Sequence, residues 1–137
     1  MSEGTPPRRN IASGTPWEPV VGYSRAVRVG PHVHVSGTTA TDESGAVVGV
    51  GDVGAQTRQA LRNLIEALER AGATARDVVR TRIFVTDISG WQAIGAAHGE
   101  IFGGVRPATS MVEVRRLIHP DMLVEIEADA YVDGAGA

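Results

Sequence analysis

Apolar and polar residues alternate along two early stretches, YSRAVRVG (23–30) and HVHVSG (32–37), each ending in glycine. A strand sends successive side chains to opposite faces, so this pattern predicts two strands joined by a tight turn at Gly30 and Pro31. TDESGAVVG (41–49) predicts a turn with at most a short edge strand. The period then changes. In DVGAQTRQALRNLIEALERAG (52–72), Leu61, Leu64, Ile65 and Leu68 recur at helical spacing, with Arg62, Glu66 and Glu69 off the stripe. Asp52 is placed to cap this helix and Gly72 to end it. DVVRTRIFVTD (77–87) returns to strand. SGWQAIGAAHGEIFG (89–103) predicts a second helix with Trp91, Ile94, His98 and Ile101 on one stripe, and TSMVEVRRL and MLVEIEADAYV predict two final strands. The order ββ(β)αβαββ is an α+β pattern, two helices on one sheet.

The same alternation assigns faces. Val33 and Val35, then Val124, Ile126, Ala128 and Ala130, are expected under the helices, together with Val79, Thr81, Ile83 and Val85. Val112 and Val114 are expected there too. The opposite face then carries His32, His34 and Ser36, Arg80, Arg82 and Phe84, Thr109, Met111, Glu113 and Arg115, and Glu125, Glu127 and Asp129. Such a face is either solvated or packed against another subunit, and the alternating signs on neighbouring strands favour pairing over repulsion.

Composition narrows the setting. The 137 residues suffice for one domain, and 42% hydrophobic with 21% charged residues is ordinary for a soluble globular chain. The net charge of −3 gives no nucleic-acid footprint. No apolar run reaches the roughly 20 residues of a membrane span, and the N-terminus lacks the apolar stretch of a signal peptide. With Cys 0 there is no disulfide, thiol nucleophile or cysteine metal site, and a cytoplasmic location is expected. Residues 1–18, rich in Pro, Gly, Ser and Arg, are expected as a flexible arm, 19–132 as a single domain and 133–137 as a tail. A chain of this size buries limited apolar surface, so subunit association would add to its stability.

Several residues are candidates for chemistry. His32 and His34 point the same way and could share a metal, but no third or fourth ligand is evident, and pocket or interface lining fits better. Glu125 and Glu127 lie about 7 Å apart in parallel, unlike a glycosidase pair facing across its substrate. Ser36 precedes glycine without the G-x-S-x-G elbow, which makes it a pocket hydroxyl rather than a nucleophile. Gly37 permits close approach of a ligand or a bulge. Tyr23 either packs or hydrogen-bonds a ligand. His98, on the second helix, reads as a half-buried packing residue. GVGDVG (49–54) lacks the spacing of a phosphate-binding loop.

Taken together, GYSRAVRVG, VSG, DVGAQTRQALRNLIEALERAGAT, DVVRTRIFVTDIS, HGEIFGG, RPATSMVEVRRL and VEIEADA resemble, in order and spacing, the RidA family (YjgF-type proteins, often labelled L-PSP endoribonuclease). The resemblance covers roughly residues 19 to 132. It implies a chorismate-mutase-like α+β subunit with a mixed sheet and two helices on one face. It also implies a homotrimer whose sheets form a central barrel, with ligand clefts between subunits. Deaminases of this family hydrolyse enamines and imines without a cofactor. An arginine in a P-A-R-S stretch grips the substrate carboxylate, and a glutamate in V-E-I-E positions water.

Carried over residue by residue, the resemblance makes Glu125 the catalytic candidate. It makes Tyr23, Ser36, Gly37, Thr109 and Met111 substrate-binding candidates, with no metal and no cofactor. The arginine position is Thr109, a departure that removes the two-pronged clamp. Arg80, Arg82, Arg106 and Arg115 are the other arginines considered for the cleft. His119, in IHPD, adds a titratable group before the last strand. The expected function is binding, and hydrolysis in one form of the reading, of a small imine, enamine or carbonyl metabolite other than the usual 2-imino acid. The alternative is a non-catalytic small-molecule-sensing or partner-binding trimer. A ribonuclease lacks support in the acidic charge and the missing nucleophile–base set.

Overall fold

The longest apolar stripe forms the longest helix. In the computed structural model, which describes residues 7–133, the chain runs β1 (Arg8–Ile11), α1 (Trp17–Val21), β2 (Ala26–Val29), β3 (His32–Thr38), α2 (Val53–Arg70), β4 (Val78–Val85), α3 (Trp91–Phe102), β5 (Ala108–Glu113) and β6 (Val124–Tyr131). One six-stranded sheet has the order β1-β2-β3-β6-β4-β5. It is mixed: β4 and β5 are parallel, and the other pairs are antiparallel. The long helices α2 and α3 pack together, and α2 also lies against β3 and β6. Leu61, Leu64 and Leu68 are fully buried among Val33, Ile83, Val124 and Ile126. Among the described residues no helix is long and apolar enough to cross a membrane.

The helix begins where the side chain of Asp52 accepts a hydrogen bond from the Ala55 amide at 3.0 Å. That bond satisfies one of the donors left open in a first turn. The variant Asp52→Ala is expected to lose about 1 kcal/mol of stability, read as a lower urea midpoint at unchanged slope. A midpoint equal to wild type would show that the cap contributes nothing.

The segment expected as a loose arm is partly structured. Arg8–Ile11 pair with β2, and Arg9 donates to the Arg70 carbonyl at the end of α2. Residues 1–6 of that arm, and 134–137 of the expected tail, lie outside the described residues.

Two face assignments need correction. Thr109 sits opposite Thr81 and Met111 opposite Ile83 in the parallel β4–β5 ladder. Residues opposite one another share a face, and Thr81 and Ile83 are buried under the helices. Thr109 and Met111 therefore face the helix layer, while Val112, 47% exposed, faces away beside Phe84. β5 is an edge strand, and its inner side is only partly covered, so that side need not be apolar. In β4, the register against β6 shifts between Val78 and Arg80. That irregularity turns Val78 inward and leaves Val79 exposed. On α3, Ile94, Ala97 and Phe102 form the buried stripe and Trp91 lies outside it.

Candidate functional site

The β3–β6 register shifts between Val35 and Thr38, which places Ser36 and Gly37 in an irregular stretch beside Glu125. A Cβ on Gly37 would fall 2.7 Å from Cδ of Glu125, and closer still to Oε2. Glycine at this position is what lets the carboxyl group lie across the strand. Burial raises the pKa of Glu125, the nearby Arg25 guanidinium opposes that rise, and the charge of Glu127 adds to it. A carboxyl whose pKa is raised in this way holds its proton more readily than an exposed one and can exchange it with a neighbouring group.

Arg25 was not among the residues expected at the site, although it shares alternating spacing with Tyr23. Its Nη2 donates to the Gly37 carbonyl at 2.9 Å, and its guanidinium lies 5.8 Å from the centre of the Tyr23 ring. Its Nε is buried with no hydrogen-bond partner among the described residues. It also acts on a second carboxylate, Glu18, which is 6% exposed. Burial works against ionisation of Glu18, but hydrogen bonds from Ser13 and Thr15, with the charge of Arg25, outweigh it and lower the pKa. Arg25 thus stands between a carboxylate held ionised and one pushed toward its protonated form. A cavity of about 690 Å³ opens beside Arg25, between the Ser13–Trp17 turn, the Thr41–Gly45 turn and α2.

Of the other candidates, Tyr23 is half-buried, with its amide bonded to the Glu18 carbonyl at 3.0 Å. The Ser36 hydroxyl donates to the Ser24 carbonyl at 2.6 Å, so its one proton is engaged in holding the segment before β2 against β3. Glu127 is paired with Arg82 at 3.2 Å, and the same arginine reaches Asp129 at 3.1 Å. Asp129 also meets Nδ1 of His34 at 2.7 Å. His32 stacks on His34 and meets Tyr131 edge-on. No group of three potential metal ligands converges among the described residues. Nδ1 of His119 accepts from the Asp121 amide at 3.0 Å, within the turn before β6. Arg106 adopts a left-handed backbone, φ 60°, just before Pro107.

Thr109 and Met111 do not join this cluster. Glu125 registers with Phe84, on the face away from the helices, whereas Thr109 and Met111 lie on the helix side, with β4 between the two strands. Met111 packs against the core. The Thr109 hydroxyl meets that of Thr81 at 2.7 Å, and Thr81 meets Nε2 of His98 at 2.9 Å. Within one chain the two groups of candidates lie apart, on opposite faces of the sheet.

The model of a family described as endoribonuclease L-PSP matches residues 14–132. A curated relative, the 3-aminoacrylate deaminase RutC of Acinetobacter baylyi, is 37% identical over 132 residues, covering 96% of this chain and 95% of its own length. Among solved structures, a YjgF/YER057c/UK114-family member from Mycobacterium tuberculosis is 56% identical, covers 92% of this chain and 100% of its own, and superposes with a TM-score of 0.84. The TdcF protein of E. coli, solved with bound serine, is 28% identical with a TM-score of 0.74, covering 90% of this chain and 93% of its own.

Proposed function

The chain belongs to the endoribonuclease L-PSP family, the group of the RidA and YjgF proteins, and from that premise we propose that it is a cytoplasmic homotrimer whose intersubunit cleft binds a small, uncharged imine, enamine or carbonyl compound and hydrolyses the imine or enamine. The observation that carries this reading is Glu125, laid over Gly37 and pushed toward protonation by burial. In the ionised form it takes a proton from water as the water oxygen attacks the C=N carbon. Glu125 passes that proton to the nitrogen, then takes the hydroxyl proton of the carbinolamine and delivers it to the departing amine, so that ammonia leaves and a carbonyl remains. An enamine enters the same route once its N–H proton has moved to carbon to give the imine. The sequence contains no lysine, its 13 Lys+Arg residues all being arginine, and Cys 0. Neither a lysine Schiff base nor a thiol adduct is open to it, which agrees with water as the nucleophile.

The separation of the half-sites supports the trimer. Thr109 of one subunit can meet Glu125 only across a subunit boundary. The outer sheet face also leaves Val112 and Tyr131 each 47% exposed, apolar surface that a neighbouring sheet would cover. Light scattering after size exclusion is expected to give the mass of three chains, and a stable monomer would sink the cleft. The reaction is tested by following hydrolysis of 2-aminoacrylate and of its uncharged amide, 2-aminoacrylamide, with Glu125→Gln beside wild type. The alternative, a non-catalytic sensing or partner-binding trimer, is favoured by one feature: Thr109 supplies a lone hydroxyl where deaminases of the family place an arginine. It predicts ligand binding without turnover of either compound.

A further inference from the structure

A hydrogen-bonded chain runs from α3 to the exposed edge of the sheet. Nε2 of His98 lies 2.9 Å from Oγ1 of Thr81. Oγ1 of Thr81 lies 2.7 Å from Oγ1 of Thr109. Thr109 in turn reaches the Pro107 carbonyl at 3.2 Å. Thr81 is fully buried, His98 is half-buried against the Phe102 ring at 4.7 Å, and Thr109 is exposed. Burial alone lowers the pKa of His98, and no charged group contributes to that shift.

Counting protons orients the chain. A carbonyl can only accept, so Thr109 donates to Pro107. Thr109 then accepts from Thr81, whose single proton is used in that bond. Thr81 must accept from His98, and Nε2 of His98 must carry hydrogen. Protonation of the ring adds a proton at Nδ1 and leaves Nε2–H in place, so the orientation is the same on both sides of the His98 titration. The outermost bond, 3.2 Å to Pro107, is long for a hydroxyl donor. The hydroxyl can therefore redirect this hydrogen bond to a ligand atom with little loss.

Resting on the intersubunit cleft proposed above, we propose that His98, through Thr81, is a specificity-determining positioning residue that fixes the Thr109 hydroxyl as a hydrogen-bond donor toward the ligand. A single neutral donor suits an uncharged acceptor, a carbonyl oxygen or imine nitrogen. It does not repay the desolvation of a carboxylate as a two-pronged arginine does. The chain therefore selects for neutral ligands where related proteins grip a charge.

The test uses the full chain, labelled with ¹⁵N, and two stable probes, pyruvamide and pyruvate. Long-range ¹H–¹⁵N spectra of wild type are expected to show His98 as the Nε2–H tautomer above its titration, and an Nδ1–H tautomer overturns the chain. By NMR titration, wild type is expected to bind pyruvamide more tightly than pyruvate. Thr81→Val, near-isosteric in a buried position, is expected to reduce that preference about fivefold, the worth of one hydrogen bond. Thr81→Ser is expected to retain it. An unchanged preference in Thr81→Val overturns the proposal while leaving the cleft reading intact. Failure of both probes to bind wild type that carries the Nε2–H tautomer overturns the cleft reading, and the selectivity with it.

Discussion

Replacing Glu125 with glutamine is expected to slow hydrolysis of 2-aminoacrylamide by about 100-fold or more, since a positioned general base commonly contributes that much. Glutamine keeps the shape and loses the exchangeable proton, so the fold is retained. Stability moves the other way. Burial raises the folded-state pKa of Glu125, so its ionisation destabilises the folded chain. That cost begins as pH rises through the unfolded value and is complete above the folded one. Glu125→Gln removes it, and the variant is expected to be at least as stable as wild type in neutral buffer, measured by urea denaturation. The wild-type rate should rise with pH through the elevated pKa, because the ionised form is the base. Gly37→Ala separates position from chemistry. Its Cβ would occupy the space of the Glu125 carboxyl, so activity should fall with Glu125 still present and titrating. Full turnover by Glu125→Gln would remove Glu125 from the mechanism.

These expectations rest on features the sequence carries unevenly. The stripe Leu61, Leu64, Leu68 predicted α2 because a helix buried on one side must repeat its apolar residues at that period. Glu125 and Gly37 were legible for a related reason: alternation in β3 and β6 puts the glutamate on the face away from the helices, and a glycine beside it permits close approach. β5 failed the same logic. At a sheet edge neither face is fully covered by the chain's own helices, so Val112 and Val114 did not reveal which side was inward, and the parallel register with β4 decided it. Arg25 was missed because its role comes from three elements meeting: the Gly37 carbonyl, the Tyr23 ring and the Glu18 carboxylate. The partners of His98 were out of reach too. Thr81 and Thr109 lie 17 and 28 residues apart from His98 and Thr81 respectively along the chain, and only the approach of α3 to β4 and the parallel pairing of β4 with β5 join them.

Placing arginine at position 109 should reverse the ligand preference. Thr109→Arg restores a guanidinium where deaminases of the family carry one, and hydrogen bonds to a charged partner contribute about 1.5–3 kcal/mol. Pyruvate should then bind about 10- to 100-fold more tightly than it does to wild type, and pyruvamide no better. The substitution should leave the fold undisturbed, because position 109 is exposed and the buried Thr81 hydroxyl, losing its acceptor there, can donate to Nε2 of His98 in the other tautomer. Thr109→Gln, of similar reach but uncharged, separates the effect of charge from that of length and should not strengthen pyruvate binding. Thr109→Arg, and not Thr109→Gln, should also gain turnover of 2-aminoacrylate, provided the Glu125 half-site is intact across the subunit boundary. Equal pyruvate affinity in Thr109→Arg and wild type would place position 109 outside the cleft. Wild-type turnover of 2-aminoacrylate equal to that of an arginine-bearing relative would show instead that this chemistry proceeds without the clamp, with Arg25, whose charge acts on Glu125, left to account for it.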